Sequence, residues 1–160
     1  MRLIDNSQRL RLQVFGAVVL ICVQVALGMF VNLFVSIPKH HSGSQPSNYF
    51  SGSFHSVAWS VDHGAIALVL HVILGFLLAL MVIGAIARAV KLGRGWITTW
   101  TVLGALFTIG AGFNGLSFLN YGKDASSFVM TVLALAALLC FVIVVYLPSI
   151  AESPETEPST

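Results

Sequence analysis

Residues 64–90 read GAIALVLHVILGFLLALMVIGAIARAV, and this stretch contains a single charged side chain, Arg88, close to its end. A helix needs about 20 mostly apolar residues to cross about 30 Å of hydrocarbon. The stretch is therefore long and apolar enough to predict a membrane-spanning helix. The other features of the chain are best understood by starting from this segment.

Three further stretches, 14–37, 96–119 and 126–148, meet the same requirement. The whole chain has 160 residues, of which 57% are hydrophobic and 9% are charged, whereas about a quarter of the residues in a soluble domain are charged. The prediction is an all-α, four-helix transmembrane bundle formed by residues 1–148. Residues 149–160, rich in Glu and Pro, are predicted to be a disordered acidic tail.

The positions of Lys and Arg near the helix ends predict the orientation of the bundle. Six of these residues flank one end: Arg2, Arg9, Arg11, Arg88, Lys91 and Arg94. The loops at the other end hold only Lys39 and Lys123. Both termini are thus predicted to be cytoplasmic, in a multi-pass protein of the cytoplasmic membrane. The net charge of +2 is too small and scattered to predict nucleic-acid binding.

The predicted outer loop, residues 38–63, is rich in Ser, Gly, Pro and Asn, which favour turns. It also carries several aromatic residues, so we expect it to fold onto the mouth of the bundle or to lie at the membrane interface. His40, His41 and His55 of this loop are candidate ligands for copper or zinc, since imidazole suits both metals. The alternative is a solvated loop without metal.

Small and polar residues recur every four positions on three of the predicted helices. The rows are His63, Ala67, His71, Gly75, Ala79; Gln24, Gly28, Asn32; and Gly104, Thr108, Gly112. Within a bilayer, helix contacts depend on small residues and on side-chain hydrogen bonds. We therefore expect these faces to meet at the bundle axis, with a polar cluster in the outer half.

His71 lies inside the hydrocarbon-spanning stretch, where an ionisable group is a candidate functional residue. One interpretation is a structural hydrogen bond to Asn32, Asn114 or a carbonyl group. The other is axial ligation of haem iron, which accepts His together with His or Met. His63 is about 12 Å away along a helix, so the second ligand has to come from another helix. Met130 and Met29 lie at roughly compatible depth.

A resemblance to a known family supports the second interpretation. The run VQVALGMFVN at 23–32, the long loop after it and LHVILGFLLAL at 70–80 resemble one four-helix half of the haem A synthases. The resemblance covers about residues 20–80. It implies a bundle that holds haem near its outer side, between histidines of the second and fourth helices. His71 matches the first of these histidines. The fourth-helix region, SSFVMTVLALAALL, has no histidine and offers Met130 instead.

A second segment, FNGLSFLNYGKDASSFVM at 113–130, resembles small uncharacterised four-helix bacterial membrane proteins and implies no mechanism. The sequence thus favours a protein that binds or handles haem b, or transfers electrons, rather than an enzyme. Its predicted cofactor site comprises His71, Met130, His63, Asn32 and Asn114. The alternative is a cofactor-free accessory or assembly subunit of a larger respiratory-type membrane complex, in which the small-residue rows pack against partner helices.

Overall fold

Five α-helices form the part of the chain that the computed structural model describes, residues 6–150. They are α1 (Asn6–Phe34), α2 (Tyr49–His63), α3 (Ile66–Leu92), α4 (Gly95–Tyr121) and α5 (Asp124–Ile150). No strand occurs in this range. By length and composition, α1, α3, α4 and α5 are able to cross a membrane. The prediction of an all-helical protein with four spanning helices is confirmed at this level.

The boundaries of the long helices differ from the predicted ones, most of all in α1. This helix begins at Asn6 rather than at residue 14, because the polar run before residue 14 contains good helix formers and buries Leu10 against the core. At the other end of the chain, α5 continues through residues 149 and 150. The rest of the predicted acidic tail, residues 151–160, lies outside the described residues.

The four long helices form a ring in which each contacts two neighbours. Helix α1 packs on α3 and α5, and α4 packs on the same two helices. Within the described helices, α1 makes no contact with α4, and α3 makes none with α5. These two pairs therefore stand at diagonally opposite corners. Neighbours run antiparallel, so α2 and the loop before it lie at the end where α1 and α4 finish and α3 and α5 begin.

The half of the bundle away from α2 is filled by apolar side chains. Phe141, Val14 and Val82 are fully buried there and belong to one continuous core. A Cβ atom at Gly104 would lie only 2.8 Å from the Phe141 ring, so this glycine lets α4 and α5 approach closely. The open space between the four long helices lies in the other half, near α2.

Two glutamines of α1 bind the backbone of α3. The side-chain amide of Gln13 donates to the Met81 carbonyl at 2.8 Å, and that of Gln24 donates to the His71 carbonyl at 3.0 Å. A Cβ atom at Gly84 or Gly75 would lie 2.9 Å from the respective amide nitrogen, so each glycine makes room for a glutamine. Hydrogen bonds of this kind contribute about 1 kcal/mol each within a membrane. They fix the register in which the predicted rows of α1 and α3 face each other.

Helix α2 corrects the prediction that residues 38–63 are turn-rich loop. Asn48 caps it, with its side-chain oxygen accepting from the Ser51 amide at 3.1 Å. Its buried face carries serines at helical spacing, and its opposite face exposes Phe50 and Phe54. Ser and Gly residues are typical of turns, but here they form the narrow face on which the helix packs.

Asn120 at the end of α4 holds α2 against the bundle. Its amide nitrogen donates to the Ser53 hydroxyl at 2.9 Å, and its side-chain oxygen accepts from the Ser56 hydroxyl at 2.8 Å. Its backbone carbonyl accepts from the Gln45 amide at 2.8 Å. Each such bond contributes about 1 kcal/mol, and losing the buried Asn120 amide would leave two hydroxyls unpaired. The expectation that this segment folds onto the bundle mouth thus matches the structure.

Candidate functional site

A cavity of about 620 Å³ lies between the four long helices, in the half of the bundle nearest α2. Its volume is within the range of about 300–1,000 Å³ that is typical of small-molecule and cofactor sites. Most of its lining is apolar. The polar lining residues are Gln24, Asn32, His71, Thr108, Asp124, Ser127 and Thr131. Within the described part of the chain, no Lys or Arg lines this cavity.

His71 and Met130 line this cavity at the same level. His71 comes five residues after the start of α3, and Met130 six residues after the start of α5, which places them about 8 and 9 Å from the α2 end of the bundle. Gly28 and Gly115 each precede the end of their helix by six residues, and so lie at about 9 Å. One layer of the bundle therefore holds an imidazole, a thioether and two glycines.

The imidazole of His71 rests against Gly28 of α1. A Cβ atom at Gly28 would lie 3.1 Å from its Cε1 atom, so only glycine leaves the ring its full space. The Nδ1 atom is buried and has no hydrogen-bond partner among the described residues. Gln24 donates to the backbone carbonyl of His71 and not to the ring. Buried polar atoms without a partner are uncommon in proteins, and this one is enclosed by protein rather than open to the cavity.

Met130 packs in the same way against Gly115 of α4. A Cβ atom at Gly115 would lie only 3.1 Å from the Met130 Sδ atom. Because α3 and α5 are at diagonal corners of the ring, the thioether and the imidazole approach the cavity from opposite sides. Each donor is thus held by a glycine of a neighbouring helix, His71 by α1 and Met130 by α4.

The other predicted cofactor residues occupy different places. Asn32 is exposed and lines the cavity near its α2 end. The Asn114 side chain donates to the Gly110 carbonyl at 2.9 Å and is not part of the lining. His63 ends α2, is exposed and does not line the cavity either. Gly64 separates it from α3, so the predicted row loses its first member.

The loop histidines do not converge. The two ring nitrogens of His41 lie 2.9 Å from the Ser42 carbonyl oxygen and 3.1 Å from that of Leu119, and the ring stacks on Trp59. His41 thereby ties the loop to the end of α4. His40 and His55 are exposed. Between residues 6 and 150, no three His, Cys, Asp or Glu side chains come together in a group able to hold a metal ion.

Several residues of the cavity were not singled out as site residues from the sequence. Thr131, Ser127 and Asp124 belong to its lining, and Gly112 faces space so open that no atom lies within 4 Å of its would-be Cβ. Gly110, Gly112 and Gly115, which flank Asn114 in the sequence, are the available signal. Such glycines occur where two helices approach closely or where a helix faces open space. The sequence alone does not tell which of these two explanations applies.

Comparison of the chain with protein-family models, with curated proteins and with solved structures finds no match. The function of the cavity then depends on what its lining is able to bind. That lining offers apolar walls, one imidazole and, opposite to it, one thioether.

Proposed function

We propose that this protein binds haem b in the cavity, with His71 and Met130 as the two axial ligands. The observation that carries the proposal is the position of these side chains. They lie at the same level on diagonally opposite helices, and each is seated against a glycine. Haem iron takes its axial ligands on opposite faces, and His with Met is an established pair.

The other features of the cavity fit the same group. Of the two ring nitrogens of His71, Nδ1 is enclosed by protein, so Nε2 is the atom that would bind the iron. The apolar walls suit a flat, hydrophobic macrocycle. Asn32 and Ser127, which lie toward the α2 end of the bundle, would supply hydrogen-bonding groups for its polar substituents. The resemblance of residues 20–80 to half a haem A synthase points to the same cofactor.

Bound haem supplies one-electron redox chemistry, and the residues of this chain set its conditions. Gly28 gives the imidazole its space, and the Gln24 hydrogen bond holds the backbone of residue 71. The mostly apolar lining would give the iron a surrounding of low polarity. A thioether ligand and such a surrounding both raise the reduction potential, so we propose electron transfer or haem holding as the role.

We also propose that the α2 end of the bundle faces outward from the cytoplasmic membrane. At the opposite end, Arg88 and Lys91 in the last turns of α3 and Arg94 before α4 are exposed, whereas Lys39 and Lys123 are the Lys and Arg residues of the α2 end. Positive residues concentrate on the cytoplasmic side of membrane proteins. In this orientation the cavity lies near the outer face and both termini are cytoplasmic.

Titration of the detergent-purified protein with haem b tests the proposal. We expect a Soret band that shifts on binding and saturates at equimolar haem. Protein from haem-replete cells should already be coloured. A protein that stays colourless and shows no saturable shift contradicts the proposal. Such a result would favour the cofactor-free accessory subunit.

Replacing Met130 by leucine is expected to retain haem but to change its coordination. Leucine matches methionine in size and costs less than about 1.5 kcal/mol in a packed site, yet it provides no sulfur. The ferric protein should lose its far-red sulfur-to-iron absorption band, and its reduction potential should fall. Absorption spectra and a redox titration measure both effects.

Met29→Leu is the matched control for this prediction. Met29 also lines the cavity, but it is exposed on α1. It follows Gly28, the glycine that His71 contacts. The sulfur-to-iron band should survive this change. If Met29→Leu removes the band and Met130→Leu does not, the assignment of the second ligand is wrong.

A further inference from the structure

Helix α2 buries its small polar residues and exposes its large apolar ones. Phe50 and Phe54 are 71% and 73% exposed. The helix contacts α3 and α4, and its buried residues are Gly52, Ser53, Ser56 and Ser60. In water the hydrophobic effect favours the opposite arrangement, with the phenylalanine rings inside and the serines outside. The exposed face of α2 therefore fits surroundings that are less polar than water.

The exposed surface of α2 has two stripes. One, which we call the apolar stripe, consists of Phe50, Phe54, Ala58 and Val61. The other consists of Ser51, His55 and Asp62. At about 100° per residue, each set lies on one side of the helix, and the two sides are about a quarter of a turn apart. An amphipathic helix at a membrane surface divides in this way, with its apolar side toward the acyl chains and its polar side toward water.

A row of aromatic rings connects the apolar stripe to the surface of α4. The Phe50 ring lies edge-on to the Tyr49 ring, with 5.5 Å between their centres. The Tyr49 ring centre is 6.4 Å from that of Phe113, which is 45% exposed. The Tyr49 hydroxyl donates to the Phe113 carbonyl at 2.7 Å and accepts from the Ser117 hydroxyl at 3.3 Å. Tyr49 thus joins the apolar stripe to the exposed surface of a helix that is able to cross a membrane.

The position of this contact along α4 indicates what covers the apolar stripe. Helix α4 has 27 residues and is about 40 Å long. When it is centred on about 30 Å of hydrocarbon, about 5 Å extends beyond each boundary. Phe113 precedes the end of α4 by eight residues, or about 12 Å, and so lies about 7 Å inside the hydrocarbon. Acyl chains surround the bundle at this level, and a water-soluble partner does not reach it.

We infer that the apolar stripe of α2 inserts among the lipid acyl chains beside α4, which makes α2 an interfacial helix of the membrane. Its serine face then packs on the bundle, its apolar stripe contacts lipid, and the stripe with His55 contacts water. This arrangement goes beyond the proposed function and does not depend on haem binding. It requires only that the four long helices cross a membrane.

Spin labels on the full-length chain, in phosphatidylcholine nanodiscs with one copy each, test the inference. Cys22 and Cys140 are replaced by alanine, and a nitroxide is attached to Phe54→Cys or to its matched control, His55→Cys. Oxygen concentrates in hydrocarbon, whereas a polar nickel chelate stays in water. The label at position 54 should respond more to oxygen than to nickel, as should a reference label at Leu80→Cys, a site 68% exposed on α3. The label at position 55 should respond more to nickel.

Two results would overturn the inference. One is a label at position 54 that nickel reaches as readily as it reaches position 55, because the apolar stripe then faces water. The other is a label at position 54 that neither reagent reaches, or one broadened by a second nitroxide, because a second copy of the chain then covers the stripe. Neither result bears on haem binding.

Tryptophan variants of the chain with its native cysteines give a second measurement, which applies even if the cysteine-free chain does not fold. Lipids with brominated acyl chains quench tryptophan fluorescence on contact. They should quench Phe54→Trp more than His55→Trp, each compared with the wild type and its three tryptophans. Equal quenching of the two variants would contradict the insertion of the apolar stripe.

Discussion

Replacing His71 by alanine is expected to lower the affinity for haem b by about 100-fold or more and to remove the bound-state Soret band. Substitution of residues that only hydrogen-bond to a metal ligand lowers metal affinity by about 10–100-fold. Here the nitrogen ligand itself is lost. Of the two proposed ligands, His71 and Met130, the imidazole of His71 is the one that binds through nitrogen. The protein should still fold, because the ring projects into the cavity and the Gln24 bond goes to the backbone of residue 71.

Two further variants show whether the loss reflects ligation. His63→Ala should bind haem as wild type does, because His63 is exposed and outside the lining. His71→Gly should regain a Soret band when free imidazole is added, since the space left by the side chain admits an external ligand. Haem binding that persists in His71→Ala and disappears in His63→Ala would reverse the assignment.

Replacing Gly112 by leucine is expected to prevent haem binding without unfolding the protein. No atom lies within 4 Å of the position that a Cβ atom would take at Gly112, and this residue lines the cavity. A leucine at this lining position would strike no neighbour, and we expect it to compete with a ligand bound in the proposed site. The free energy of unfolding should not fall, because a glycine inside a helix costs about 1 kcal/mol relative to alanine. Haem titration and thermal unfolding measure the two effects.

Gly95→Leu serves as the control for this change. Gly95 is at the opposite end of α4, and it too has no atom within 4 Å of a would-be Cβ. Its substitution should leave haem binding intact. If Gly112→Leu binds haem with wild-type affinity, the ligand does not occupy this part of the cavity.

The spanning helices and the contact between α1 and α3 follow from the sequence for physical reasons. A bilayer requires long apolar helices, and these are visible as uninterrupted runs. Close approach of helices requires small residues, so the rows with Gln24 and Gly28 on α1 and with His71 and Gly75 on α3 predict a shared face. The structure confirms that face through the contacts of Gly28 with His71 and of Gln24 with Gly75.

Other features depend on tertiary contacts that no local pattern encodes. Helix α2 is held by Asn120, whose partners Ser53 and Ser56 lie more than 60 positions earlier in the chain. The break at Gly64, which removes His63 from α3, depends on how α2 docks. The diagonal placement of Met130 depends on the order of the helices around the ring. Hydropathy gives the number of helices and does not give that order.

The ring closes between α1 and α5, which are the first and the last helices of the described residues. Contacts between segments so distant in sequence form late. A nascent chain that contains only α1 to α4 already carries His71. It lacks the α5 wall of the cavity, including Met130. If the chain holds haem as proposed, a ribosome-bound or truncated chain lacking residues from 124 onward should be unable to retain it.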